Sequence, residues 1–166
     1  FPCLVLVNSP NNPPGNIIAV DILESRLDSA KKAGADHIIN SKTKDVVSEI
    51  KKLTGGIGAD KAIDCSGNPK AQNDALNCVK KQGKAAFMGE SKFTQFNPSE
   101  QWIRKKLTVI GSWYFPIWEY PEIASLIVNK KLHLDKLVTN VFNLEEAPKA
   151  YELFDKYETG IAVFAI

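Results

Sequence analysis

Side chains that bind metal ions or form disulfides are scarce in this sequence. It has three cysteines and two histidines in 166 residues, with neither a Cys-x-x-Cys motif nor a His/Cys cluster. An odd number of widely spaced cysteines argues against a disulfide framework and fits a reducing compartment, so we expect the cytoplasm. Because a zinc site needs several such ligands close together, we expect no metal-binding residues in this chain. His37 and His133 are interpreted as ordinary polar residues.

Excess charge of one sign and long apolar runs are also missing. The formal net charge is +2, which is too small to favour nucleic acid or an anionic membrane as a partner. No apolar run approaches the length of a membrane span, and no basic and then apolar leader opens the chain. The hydrophobic fraction of 44% and the charged fraction of 24% are ordinary for a globular protein. Since the first residue is Phe1 rather than Met, we expect a fragment or a processed chain.

Motifs of several other α/β enzymes are absent as well. The sequence has no Gly-x-Ser-x-Gly motif and no P-loop lysine motif, which argues against an α/β-hydrolase and a P-loop nucleotidase. No tyrosine begins a Tyr-x-x-x-Lys pair, which a short-chain dehydrogenase would need. The glycine-rich segment Thr54–Gly58 follows a predicted helix instead of preceding one, so we interpret it as a turn.

What the sequence does contain is a regular alternation of strand-like and helix-like segments with short connections. Strands are predicted at Cys3–Val7, Asn16–Asp21, Asp36–Asn40, Lys61–Cys65, Lys84–Met88, Leu107–Gly111, Leu137–Phe142 and Ile161–Ile166. Helices are predicted at Ile22–Ala33, Lys44–Leu53, Pro69–Lys80, Pro98–Arg104, Pro121–Lys130 and Glu145–Lys156. This alternation predicts an α/β fold in which helices cover both faces of a doubly wound parallel sheet.

The second predicted strand ends in a carboxylate, Asp21, immediately before a helical pattern. In a doubly wound sheet such an acid can accept hydrogen bonds from the adenosine ribose of NAD, and it repels the 2′-phosphate of NADP. The alternative is that Asp21 only caps the helix that follows. The residues by themselves leave both interpretations open.

Several short motifs in order give the chain a specific resemblance. They are VD-x(4)-RL with GADHIIN, then GG-x-GAD with IDCSGN, then F-MGE, then LTVIGSW. This order resembles the coenzyme-binding domain of the zinc-dependent medium-chain alcohol and polyol dehydrogenases, from about Asn16 to the end of the chain. The resemblance implies a Rossmann-like domain over residues 1–113 with an incomplete first βα unit. Residues 114–166 resemble the returning segment of the catalytic domain.

The resemblance also implies a set of residues that bind NAD. Asp21 resembles the acid that binds the ribose, and Arg26 resembles the basic residue beside the adenosine. Cys65, Ser66 and Gly67 match the segment that lines the riboses, and Met88, Gly89 and Glu90 match the segment whose backbone meets the nicotinamide carboxamide. Ser112 and Trp113 match the crossing into the catalytic domain. Arg26 alone would equally be a solvated helix charge, Gly67 a turn glycine, and the aromatic residue a core or interface residue.

Two departures from the family limit what this chain is expected to do. The phosphate-binding G-x-G-x-x-G is replaced by the proline-rich segment Asn8–Asn16, which is too short for a crossover helix. Either Cys3–Val7 is not the usual first strand, or the segment with the loop and helix is missing. We expect missing sequence, with a break or poorly ordered chain between Asn8 and Asn16. Residues for the catalytic domain, with its zinc ligands and proton relay, are also absent.

The sequence therefore predicts the NAD-binding portion of a zinc-dependent alcohol or polyol dehydrogenase, inactive as an isolated chain. The parent enzyme would use zinc and a small alcohol or polyol substrate. The strand Leu107–Gly111 resembles the edge through which family members form homodimers, although it could be an interior strand. The alternative function is a degenerate Rossmann-like binding or assembly module that binds no nucleotide.

Overall fold

The computed structural model describes residues 16–130, 132, 134–156 and 158–165. It divides into two compact units, the first ending at Tyr114 and the second beginning at Phe115. The predicted strand Cys3–Val7, nearly all of the proline-rich segment Asn8–Asn16, and His133 lie outside the described residues. The described part contains no helix that is both long and apolar enough to cross a bilayer.

The first unit alternates strands and helices in the predicted order. Its elements are β1 (Ile18–Asp21), α1 (Glu24–Lys32), β2 (His37–Asn40), α2 (Val46–Leu53), β3 (Ala59–Asp64), α3 (Pro69–Cys78), β4 (Val79–Phe87) and β5 (Thr108–Gly111). Every strand pair is parallel: β1 pairs with β2, and β4 lies between β3 and β5. The predicted α/β class with parallel sheets is therefore confirmed.

The helices α2 and α3 begin at side chains that satisfy free backbone N–H groups. Asp45 accepts a hydrogen bond from the Ser48 N–H at 2.8 Å, and Asn68 accepts from the Lys70 N–H at 2.9 Å. Pro69 then occupies the first position of α3, where its missing N–H costs nothing. These caps fix the point at which each chain segment leaves the sheet and enters its helix.

The core of the first unit lies between these helices and the strands. It consists of small and branched apolar side chains: Ile18, Val20, Ile39, Val46, Ile50, Ala59, Ala62, Ala75, Leu76, Cys78, Val79 and Ala85. Helix α1 contributes Leu27, which is buried, whereas Ile22 and Ala33 are exposed. The predicted helix start at Ile22 was wrong, because the helix begins only at Glu24 and Ile22 lies in the preceding turn.

The boundary between α3 and β4 also differs from the prediction. The helix ends at Cys78 rather than Lys80, and β4 begins at Val79 rather than Lys84. Gln82 has a left-handed φ of 61°, and the register between β3 and β4 shifts between Ala59 and Lys61. The amphipathic pattern could not reveal this irregular strand entry.

The second unit contains α4 (Tyr120–Asn129), β6 (Val138–Asn143), α5 (Ala147–Asp155) and β7 (Ile161–Ala165). The strands β6 and β7 are parallel, and the rings of Phe142 and Phe164 lie 6.3 Å apart. Phe142 and Ala150 are buried. Many large apolar side chains of this unit, including Trp118 and Val128, are exposed.

Candidate functional site

The carboxylate of Asp21 lies at the carboxyl end of β1 and is nearly buried, with 5% of its surface exposed. Its Oδ1 accepts hydrogen bonds from the backbone N–H groups of Ile22, at 2.7 Å, and Leu23, at 2.9 Å. These bonds hold the turn into α1, where Leu23 is the N-cap residue. Asp21 therefore holds the turn before α1 but does not cap the helix, whose N-cap residue is Leu23.

The second oxygen of Asp21 lies toward Arg26. The Arg26 guanidinium nitrogen NH1 is 3.8 Å from Asp21 Oδ2, which makes a long ion pair. Arg26 is in the first turn of α1, because its N–H donates to the Leu23 carbonyl at 3.1 Å. The short turn between β1 and α1 therefore brings the Asp21 carboxylate and the Arg26 guanidinium close together.

Asp21 and Arg26 line a cavity of about 260 Å³ at the carboxyl ends of β1 and β3. The other walls come from the turn after β2, the start of α2, the turn after β3 and the start of α3: Val20, Ile22, Ser41, Val46, Ser66, Asn68, Lys70, Ala71 and Asp74. Small-molecule sites in α/β sheets form at this end of the strands. This volume is below the roughly 300–1,000 Å³ of drug-sized sites, so the cavity can hold only part of a larger ligand.

The turn after β3 is organised by a second carboxylate, Asp64, which is fully buried. Its Oδ1 accepts from the Ser66 hydroxyl at 2.6 Å and the Ser66 N–H at 3.1 Å, and its Oδ2 accepts from the Gly67 N–H at 3.0 Å. Hydrogen bonds from N–H and O–H groups compensate the cost of burying a charge. Asp64 therefore holds Ser66 at the wall of the cavity.

The end of β4 crosses this turn at backbone contact. The N–H groups of Met88 and Gly89 both donate to the Asp64 carbonyl, at 2.8 and 3.1 Å. A Cβ atom on Gly67 would collide with the Glu90 carbonyl, and one on Gly89 would collide with the Gly67 nitrogen. Only glycine fits at these two positions, so the turn after β3 and the segment Met88–Glu90 are fixed against each other.

The remaining predicted residues follow β5. Ser112 extends the pairing with β4, because its N–H donates to the Phe87 carbonyl at 3.0 Å. The Trp113 side chain is 63% exposed and makes an edge contact with Tyr114, their ring centroids 4.8 Å apart. These two residues lie one strand beyond Met88–Glu90 in the sheet order.

Of the predicted site residues, Asp21, Arg26 and Ser66 are together in the cavity wall. Cys65 and Gly67 flank Ser66, and Met88, Gly89 and Glu90 are in contact with that turn. The role of each in binding stays a prediction. Sequence reasoning did not single out Asp64, Asn68 or Lys70, although Asp64 ends a strand just as Asp21 does.

A metal site is not part of this arrangement. Within residues 16–130, 132, 134–156 and 158–165, His, Cys, Asp and Glu side chains form no group of three that could hold an ion. The described residues therefore do not provide a zinc site.

The donor set in the cavity does fit a sugar of a nucleotide. Asp21 offers a carboxylate oxygen, Ser41 and Ser66 offer hydroxyl groups, and Arg26 offers a planar cation beside them. Carboxylates accept hydrogen bonds from hydroxyl groups and repel phosphate at the same position.

Comparisons with known proteins agree on one family. A family model described as zinc-binding dehydrogenase matches residues 14–129. The L-threonine 3-dehydrogenase of Pyrococcus horikoshii is 33% identical over 155 residues, which cover 90% of this chain and 44% of that protein. The sorbitol dehydrogenase of Bacillus subtilis is 32% identical over 139 residues, covering 83% of this chain and 39% of that protein.

A solved structure gives the same result for the fold. The benzyl alcohol dehydrogenase of Acinetobacter calcoaceticus superimposes with a TM-score of 0.80 at 32% identity, over 91% of this chain and 42% of that one. This chain thus spans about two fifths of the length of the proteins it matches.

Proposed function

Because this chain belongs to the zinc-binding dehydrogenase family, we propose that it is the NAD-binding portion of a medium-chain alcohol or polyol dehydrogenase. The parent enzyme is an oxidoreductase that transfers a hydride between an alcohol and NAD. Bound NAD supplies the hydride acceptor, and the residues of this chain bind and orient it. Zinc ligands, proton relay and most of the substrate pocket come from the rest of the parent enzyme, so this chain alone does not oxidise an alcohol.

The observation that carries the proposal is that the two carboxylate oxygens of Asp21 have different partners. Oδ1 accepts from the Ile22 and Leu23 N–H groups, while Oδ2 lies 3.8 Å from the Arg26 guanidinium, and both side chains line the cavity. Asp21 Oδ2 accepts a hydrogen bond from the adenosine ribose, and its charge excludes the 2′-phosphate of NADP. Arg26 covers the adenosine side.

The other predicted residues bind the rest of the cofactor in this proposal. Cys65, Ser66 and Gly67 line the riboses, and the backbone of Met88, Gly89 and Glu90 meets the nicotinamide carboxamide. Ser112 and Trp113 lead from the cofactor domain, residues 1–113, into residues 114–166, which complete the catalytic domain of the parent enzyme. The close crossing at Gly67 and Gly89 supports a shared surface for these segments.

The test is isothermal titration of the 166-residue chain with NAD and with NADP. We expect NAD to bind more tightly, and Asp21→Asn to reduce the preference for NAD by about tenfold. Asparagine keeps an oxygen for the Ile22 and Leu23 N–H groups but loses the charge. Asp28→Asn, which removes an exposed carboxylate elsewhere on α1, is the control and should leave the preference unchanged.

The outcomes separate the two functions considered. Equal affinity of the folded chain for NAD and NADP would show that Asp21 does not select the cofactor. Absence of binding to either nucleotide would favour a degenerate module that serves in assembly.

We further propose that the parent enzyme is a cytoplasmic homodimer that pairs through β5. Strand β5 is at one end of the order β3-β4-β5 among the described strands, and all four of its residues are exposed. An edge strand of this kind offers unpaired N–H and C=O groups to a second copy. The low and odd cysteine count supports a reducing compartment.

A further inference from the structure

A buried amide on α3, Gln72, connects this helix to the segment that follows β4. The Gln72 side chain is 5% exposed. Its Nε2 donates to the Gly89 carbonyl at 3.2 Å, and its Oε1 accepts from the Thr94 hydroxyl at 2.5 Å. The Thr94 hydroxyl oxygen also lies 3.1 Å from the Ser91 hydroxyl oxygen. One side chain thus contacts both ends of the segment from Gly89 to Thr94.

The bond to Gly89 controls the backbone at the end of β4. The Gly89 C=O and the Glu90 N–H share one rigid peptide plane, so holding the carbonyl sets the direction of the N–H. The N–H groups of Met88 and Gly89 are already bound to the Asp64 carbonyl. Gln72 therefore fixes the last adjustable peptide of the segment Met88–Glu90.

We infer that Gln72 is a positioning residue that orients Met88–Glu90 for the nicotinamide end of the cofactor. The inference rests on the proposed function, in which this segment meets the nicotinamide carboxamide. The position needs a neutral group with one donor and one acceptor, which a carboxamide supplies and a carboxylate or an alkyl group does not.

The main test compares two ligands that report on opposite ends of the site. AMP, measured by calorimetry, occupies only the adenosine end, whereas NADH, measured by nicotinamide fluorescence, needs both ends. We expect Gln72→Leu to weaken NADH by about tenfold and to change AMP affinity by less than about twofold. A merely structural loss would weaken both ligands together.

Asn73→Ala is the matched control. Asn73 is the next residue of α3, and its side chain donates to the Gln95 carbonyl at 3.2 Å, beyond the segment Met88–Glu90. This variant also loses the bonds of Asn73 to the Pro69 carbonyl and the Gln101 side chain. Because none of these partners lies in Met88–Glu90, NADH affinity should be unchanged. The inference is overturned if Gln72→Leu binds NADH as wild type does, or if Asn73→Ala weakens NADH as much as Gln72→Leu does.

Gln72→Glu gives a second test that does not depend on Gln72→Leu folding. A glutamate carboxylate keeps the acceptor for Thr94 but repels the Gly89 carbonyl, and its protonated form can donate to that carbonyl again. Because burial raises the pKa of a carboxyl group, NADH affinity of this variant should recover as the pH falls. A pH profile that matches wild type would contradict the inference. If the wild-type chain binds AMP and NADH but neither variant changes NADH affinity, only this inference is overturned. If the wild-type chain binds neither ligand, the proposed function is overturned too.

Discussion

In the turn after β3, Gly67 is a position that tolerates no side chain. Both Gly67 and Gly55 have left-handed φ values, +66° and +62°, but only at Gly67 would a Cβ meet backbone, the Glu90 carbonyl. We expect Gly55→Ala to lower the free energy of unfolding by about 1 kcal/mol. Gly67→Ala should lower it by about 3 kcal/mol, because overpacking adds to the same conformational cost.

Urea unfolding of both variants measures the difference, with Gly55→Ala as the control for backbone conformation. Equal losses of stability in the two variants would mean that the turn moves away from Glu90 at little cost. The close crossing would then not be a fixed feature of the site.

Cys78 gives a prediction about alkaline stability. Burial raises the pKa of its thiol to about 12, from an ordinary value of 9.0. As the pH rises above 9, the unfolded thiol loses its proton while the folded thiol keeps it, so folding stability falls up to about pH 12. We expect the free energy of unfolding of the wild type to fall relative to that of Cys78→Ala over this range.

Lys105, which donates to the Leu76 carbonyl at 2.6 Å, contributes with the opposite sign. Burial lowers the pKa of its ammonium group from 10.5, so its contribution to stability rises with pH. Because Cys78 and Lys105 also interact electrostatically, chemical unfolding of the two proteins at several pH values reports the thiol together with its effect on Lys105. A constant difference between the two proteins from pH 9 upward would contradict the assignment to Cys78.

At the level of residues, the sequence predicted a site residue that ends a strand, but it could not predict residues whose role depends on tertiary contacts. Asp21 was recognisable because an apolar run ends in it. Asp64 ends a run in the same way, but its carboxylate bonds the turn after β3 instead of lining the cavity. Gln72 was invisible in the sequence, since its partners Gly89 and Thr94 are brought to it only by the crossing of β4.

Among the elements, helix α3 supports the site. The contribution of its N-cap residue, Asn68, to stability can be measured by substitution. The Asn68 side chain accepts from the N–H groups of Lys70 and Ala71, at 2.9 and 3.3 Å. Replacing such an N-cap residue by alanine costs about 1 kcal/mol. We expect Asn68→Ala to lower the free energy of unfolding by that amount in thermal and urea unfolding. Asn68→Asp should preserve stability, because aspartate caps equally well and favours the positive end of the helix dipole.

The order and type of the elements were predictable, whereas several boundaries were not. Alternating apolar patterns and glycine or proline at the ends located α1, α2 and α3 to within a few residues. The start of β4 at Val79 depends on the left-handed Gln82, which pairs its N–H with the Lys105 carbonyl at 2.8 Å. That contact joins residues far apart in the chain, so no local pattern reports it.

At the scale of the whole molecule, the feature that matters for assembly is the exposed strand β5. The described strands form separate parallel sheets, β1-β2, β3-β4-β5 and β6-β7. Parallel sheets normally have both faces covered, and exposed strand edges are usually protected. Strand β5 presents Val109, 39% exposed, and Ile110, 45% exposed. The sequence predicted strand β5 from its β-branched residues, but its place at an edge follows only from the pairing with β4.

Pairing of two copies through β5 has a direct consequence for oligomeric state. Sedimentation velocity should give a dimer for wild type at about 100 µM, and a monomer for Ile110→Lys, because a charge on an edge strand opposes pairing. Ile57→Lys changes an equally apolar residue, 60% exposed in the turn after α2, and should remain dimeric. A wild-type monomer would contradict dimerisation. An Ile110→Lys dimer of unchanged affinity would place the subunit contact away from β5.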